Sequence, residues 1–181
     1  IEKLIDLLII QSYPIKEIII SDAGSTDRTF EIVNNINTSN IKIIFFKRNG
    51  FCRGSGRNSG ILSSSNDVIA LIDAGCEPEK NWLQNLIKNY KRTNDIVFGS
   101  AKPIYNNIFE YCLSMNIISK SNKNDLIIPT VSSMLLNKKS WEDLGRFQES
   151  KTGEYIVEDL LFINKIQQSD KNIYYEENAI V

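Results

Sequence analysis

Three acids in this 181-residue chain stand where side chains are delivered to a rim rather than to a core. Asp22 and Asp73 each end an apolar run, at Ile18-Ile19-Ile20 and Val68-Ile69-Ala70-Leu71-Ile72, and small residues follow each one. Asp159 follows Glu158 at the head of a helix-like stretch. The chain has no histidine, which removes His-based zinc sites, Ser-His-Asp triads and Cys-His pairs together. Chemistry must therefore run on carboxylates, Lys, Arg, Tyr or a metal held by oxygen. The same residues have plainer uses. Asp before small residues forms turns, and an acidic pair favours a helix N-terminus.

The second feature is the basic, glycine-rich stretch KRNGFCRGSGRNSG over residues 47–60, which reads as a loop entering a helix over 57–64. Gly54-Ser55-Gly56 and then Gly60 approach a dinucleotide fingerprint, but the last gap is one residue too long. The stretch also does not join the first strand to the first helix, as that fingerprint requires. It is better suited to bringing Arg53 and Arg57 to a diphosphate, since guanidinium groups pair with phosphate oxygens two bonds at a time.

The elements that must position these groups alternate. A helical stripe over 2–12 closes at Ser12-Tyr13-Pro14, and a strand over 18–20 turns at 22–25. Ser25 or Thr26 is placed to cap a helix from 27 to about 36. Strands follow over 41–46, 68–73 and 95–100, with a helix over 78–90 between the last two. This order implies a parallel sheet with right-handed crossovers. In such a sheet ligands bind beyond the carboxyl ends of the strands, so Asp22 and Asp73 should share one rim. Beyond residue 101 the pattern loosens. A helix is expected over 104–118, a strand over 129–137, a short helix over 140–145, an amphipathic helix over 157–168 and a last strand over 172–177. The opening helix has no strand before it, so one strand–helix unit lacks its strand.

The length fits one domain. A net charge of −1 makes no electrostatic case for nucleic acid or an anionic membrane surface. Three scattered cysteines form neither a disulfide framework nor a metal knuckle, which points to a reducing compartment. No apolar run reaches the roughly 18 residues a membrane span needs. The chain shows no signal peptide and does not begin with Met, which points to a piece of something longer.

Taken in order, four blocks resemble the inverting family-2 glycosyltransferases of the GT-A fold: QSYPIKEIIISDAGSTDRT, GSGRNSGI, VIALIDAGCEPEKNWL, and SSMLLNKKSWEDLGRFQE followed by VEDLLFINKI. The resemblance implies an α/β Rossmann-like fold with a mostly parallel central sheet flanked by helices. It implies a single domain over 1–181, with a nucleotide-binding half over 1–100, an acceptor-side half over 101–181 and the family's first strand missing. It also implies roles. Asp22, with Gly24 and Ser25, would hold the nucleobase of a UDP-sugar; Arg57 would lie near the base or phosphates; Asp73 would touch the ribose or a divalent cation, Mn²⁺ or Mg²⁺. Asp159, paired with Glu158, would be the general base toward a glycan or lipid-linked acceptor. Polysaccharide biosynthesis at the cytoplasmic face of a membrane, reached only peripherally or through parts outside this chain, is the implied setting.

The departures are specific. The family's Asp-x-Asp is Asp73-Ala74-Gly75 here, so the second carboxylate is missing, and Ala23 replaces the second Asp of the nucleobase turn. No Gln-x-x-Arg-Trp block follows the acidic pair, which argues against a processive synthase. The alternatives are a catalytically impaired nucleotide-sugar-binding module of the same fold and, on a related α/β fold, a sugar-nucleotide nucleotidyltransferase. The latter would carry its basic loop after the first strand.

Overall fold

The computed structural model describes residues 1–47, 52–105, 107–110, 112, 129–150 and 157–181. Six strands and six helices are described within them: α1 (Glu2–Ile9), β1 (Glu17–Asp22), α2 (Thr29–Asn35), β2 (Lys42–Lys47), α3 (Arg53–Ser63), β3 (Val68–Ile72), α4 (Trp82–Asn89), β4 (Asp95–Ser100), β5 (Ser133–Asn137), α5 (Lys138–Asp143), α6 (Glu158–Gln167) and β6 (Asn172–Ile180). The helix expected over 104–118 lies mostly outside the described residues.

The strands form two sheets. β1 and β2 pair in parallel, with Ile18 opposite Ile43 and Ile20 opposite Phe45. The other four lie in the order β3-β5-β4-β6. β5 runs antiparallel to both of its neighbours, while β4 and β6 are parallel. Three of these four strands therefore point the same way, and the sheet is mostly parallel in strand direction. The parallel sheet expected from the alternation over the first hundred residues is interrupted, because antiparallel β5 is inserted between β3 and β4. Every residue of β5 is buried, so this apolar strand can sit only in the interior of the sheet.

Alternation along these strands builds a core on each face. Val97 and Leu135 face α1, α2 and α4 through Leu4, Ile5, Leu8, Val33, Trp82 and Leu86. Ile96, Phe98, Met134 and Leu136 face Ile61 of α3, Trp141 of α5 and Phe162 and Ile166 of α6. The buried indole of Trp82 donates to Ser133 Oγ at 2.9 Å, so its polar atom is satisfied.

No strand pairing joins the two sheets among the described residues; a side chain does. Glu17 at the start of β1 accepts from Ser64 Oγ at 2.6 Å, Ser65 N–H at 2.9 Å and Asn66 Nδ2 at 2.6 Å, in the turn that leads into β3. Burial works against this carboxylate. The hydrogen bonds from Ser64, Asn66 and Ser65 outweigh it and lower its pKa from 4.5 to about 2.

Candidate active site

The local surprise is α3. Its sequence, RGSGRNSGILS, carries three glycines, and each costs a helix about 1 kcal/mol relative to alanine. The expected loop over 47–60 is helical from Arg53 onward, because packing needs the missing side chains. A carbon added at Gly54 would collide with the Gln148 carbonyl and stand 3.6 Å from Glu158 Cβ, and one at Gly56 would stand 3.3 Å from Ser21 Oγ. Bare backbone thus lets α3 lie against the end of β1, the Gln148 chain and the head of α6. Cys52 caps the helix, its sulfur accepting the Ser55 N–H at 3.3 Å. Burial raises this thiol, but the donors from Ser55 and Ser150 outweigh it and bring it to about 7.

Arg57 projects from the first turns of α3 into a ring of carboxylates. Nη1 donates to Glu158 Oε1 at 2.9 Å and to Asp159 Oδ1 at 2.6 Å, and Nη2 donates to Asp73 Oδ1 at 3.1 Å. The guanidinium lies over the Phe147 ring, 5.6 Å from its centroid. Asp73, just past the end of β3, accepts Ser132 Oγ–H on its other oxygen at 2.9 Å. One arginine thereby joins the end of β3 to the start of α6.

Asp22 ends β1 and is buried. It accepts from Gly24 N–H at 3.2 Å, from Ser25 N–H at 3.0 Å and from Ser25 Oγ. Gly24, at φ 117°, makes the turn that aims these donors. Ser25 is therefore occupied with Asp22, and the expected cap on α2 is corrected: α2 starts at Thr29 after Arg28, and its first N–H is accepted by Asp27 Oδ1 at 3.0 Å rather than by Ser25 or Thr26. Ser21 touches Gly56, the residue before Arg57, so Asp22 stands at the same end of the molecule as Asp73. It makes no hydrogen bond to Asp73 or Asp159 among the described residues.

The electrostatics single out Asp159. Burial is the largest influence and pushes its carboxyl above the usual aspartate value; Arg57 and Arg53 oppose this, while Glu158 and Asp73 add to it. Its side chain remains 32% exposed, whereas that of Glu158 is only 7% exposed. Of the acidic pair, Asp159 is the member that meets solvent.

The residues present do not fit a divalent cation held by this chain. Both Asp73 oxygens already accept protein donors, one of them from a guanidinium. The position two residues on is Gly75, with open space where a side chain would stand. Among the described residues, no group of three or more acids, cysteines or histidines is placed to hold a metal.

Arg57, Asp73, Glu158 and Asp159 are thus brought together, and Asp22, Gly24 and Ser25 form a turn on the same end. Three participants escaped the sequence reading. Ser132 lies in an apolar stretch and carries no signal, and neither did Phe147. Asn58 was visible only as the neighbour of Arg57.

The comparisons with known proteins bear on this arrangement. The family model described as Glycosyl transferase family 2 matches residues 1–154. The chain belongs to that family. The glycosyltransferase AglE of Haloferax volcanii is 27% identical to this family 2 chain, matched over 81% of it and 51% of the relative. A poly-beta-1,6-N-acetyl-D-glucosamine synthase of Staphylococcus aureus is 24% identical, over 99% of the chain and 45% of the relative. The chain spans about half the length of the curated relatives it matches. Among solved structures, residues 1–349 of S. aureus TarS in complex with UDP match with a TM-score of 0.71 at 17% identity, over 99% of this chain and 56% of that one. The same protein in complex with UDP-GlcNAc matches with a TM-score of 0.69, over 95% and 50%. This family 2 chain therefore has the GT-A fold expected of it.

Proposed function

We propose that this chain carries the catalytic site of a glycosyltransferase that moves a sugar from a UDP-sugar to a hydroxyl of a glycan or lipid-linked acceptor, with inversion. The observation that carries the reading is the convergence on Arg57 of Asp73 and the Glu158–Asp159 pair, from distant parts of the chain. The TarS structures with UDP and UDP-GlcNAc, which share the fold, support the donor class.

In this reading the base rests in the Asp22–Ser25 turn and the ribose beside Asp73, with the diphosphate near Arg57. Asp159 accepts the proton of the acceptor hydroxyl. The oxygen forms its bond to the anomeric carbon as the bond to the diphosphate oxygen breaks, and the diphosphate leaves with the electron pair. Attack opposite the departing group inverts the carbon. Arg57 gives up part of its hold on the carboxylates to meet the charge developing on the leaving group. No step is routed through a metal ion. Glu158, buried and bonded to the same Nη1 at 2.9 Å, keeps the guanidinium anchored while its bond to Asp159 is released.

Calorimetric titration with UDP, together with donor turnover, tests the reading. Asp159→Asn should lower turnover by about 10²–10⁴-fold, the usual scale for a lost general base, and leave UDP affinity nearly intact. Binding of UDP without turnover in the unaltered chain would favour the impaired binding module instead. Absence of any UDP binding would count against both.

A further inference from the structure

Asn58 is 4% exposed, and a carboxamide has two protons to donate and room to accept two. All are used. Nδ2 donates to the Phe147 carbonyl at 3.0 Å and to Glu149 Oε1 at 2.8 Å; Oδ1 accepts from Phe147 N–H at 3.1 Å and from the Trp141 indole at 3.2 Å. One side chain thereby closes both backbone groups of Phe147, as a neighbouring strand would. Two further contacts extend the seam along α3: Ser150 N–H donates to Cys52 Sγ at 3.3 Å, and the Gln148 carbonyl sits against Gly54. Residues 147, 148 and 150 therefore meet 58, 54 and 52, running opposite to the helix.

The gripped residue faces the site in two directions. The Phe147 ring packs against Phe162 of α6, with centroids 4.1 Å apart, and lies beneath the Arg57 guanidinium. Arg57 and, through Phe162, the middle of α6 are thus both set against one ring whose backbone Asn58 holds from α3.

We propose that Asn58 is a positioning residue for the transfer reaction: by fixing Phe147 it holds Arg57 and the Glu158–Asp159 pair at their working separation. This rests on the reading of Asp159 as the general base. A residue that acts this way should affect turnover more than substrate binding, because small displacements of reacting groups are costly, about 100-fold for about 1 Å.

The test compares Asn58→Ala, Phe147→Leu and Asp159→Asn with the unaltered chain. The first readout needs no substrate: the ¹⁵N resonances of the Arg57 guanidinium, whose two Nη groups are distinct while the group is held and merge when it rotates freely. The second is turnover split into kcat and KM for the UDP-sugar. Asn58→Ala should merge the Arg57 signals and lower kcat by up to about 100-fold, with donor KM little changed. Phe147→Leu removes the ring but leaves the backbone bonds to Asn58, and should also loosen Arg57, so the claim stands or falls even where Asn58→Ala does not fold. A variant that lowers Tm yet leaves the Arg57 signals and kcat as they were would overturn the proposal and leave Asn58 a folding residue. Unimpaired turnover in Asp159→Asn would instead sink the base assignment, with the Arg57 resonances still judging Asn58.

Discussion

In the proposed reaction Asp159 is the general base, and its environment makes a pH prediction. A general base works deprotonated. Burial raises its pKa against the pull of Arg57, so activity is full above the raised value and is lost as pH falls through it. The acid limb of kcat should therefore lie above the ordinary aspartate value of about 3.9. Removing the opposing charge in Arg57→Ala should move that limb further up, in any pH–rate series that retains turnover. Cys52 offers a second check on the local geometry. Held at about 7 by Ser55 and Ser150, it should be alkylated by iodoacetamide near neutral pH well before Cys76, whose thiol burial and the nearby Asp73 push up; peptide mass spectrometry reads the order. Gly75 offers a third. A side chain there meets open space, so Gly75→Asp should fold normally and add a carboxylate two residues from Asp73. Calorimetry should then show a Mn²⁺ enhancement of UDP affinity that the unaltered chain lacks.

At the scale of elements, α3 was read in part. Arg53 and Arg57 were expected to meet a diphosphate, and the structure sets Arg57 among Asp73, Glu158 and Asp159. The helix's conformation was misjudged, because glycine speaks for a loop unless something must approach closely, and the approaching group, the Gln148 carbonyl, lies far along the chain. Gly54→Ala should improve helix propensity yet destabilise the protein by about 1–3 kcal/mol through overpacking, measurable by urea unfolding. Strand and helix ends were more legible. Asp22, Asp73 and Asp159 announce themselves by following or opening periodic apolar segments. β5 was legible as a strand but not as the antiparallel neighbour of β3 and β4, since apolar content reports burial and says nothing of direction or partner. Ser132, the residue immediately before β5, was hidden for the same reason: its bond to Asp73 depends on that insertion.

Across the whole molecule, the site spans elements of both sheets, and what holds those sheets together was invisible in the sequence. Glu17 carries no signal in the sequence, yet it accepts bonds from three successive residues before β3. Its lowered pKa gives the sign of a stability effect. The contribution is present above the unfolded value near 4.5 and is lost as pH falls toward 2. Glu17→Gln should cost about 1–2 kcal/mol at neutral pH, discounted for solvent exposure, and its deficit should vanish across that acid window. The most direct test of the account is a crystal structure of this chain soaked with UDP. The nucleobase should rest in the Asp22–Ser25 turn, with the ribose beside Asp73 and the diphosphate within reach of Arg57. A nucleotide bound away from the rim that Asp22, Asp73 and Asp159 share would contradict it.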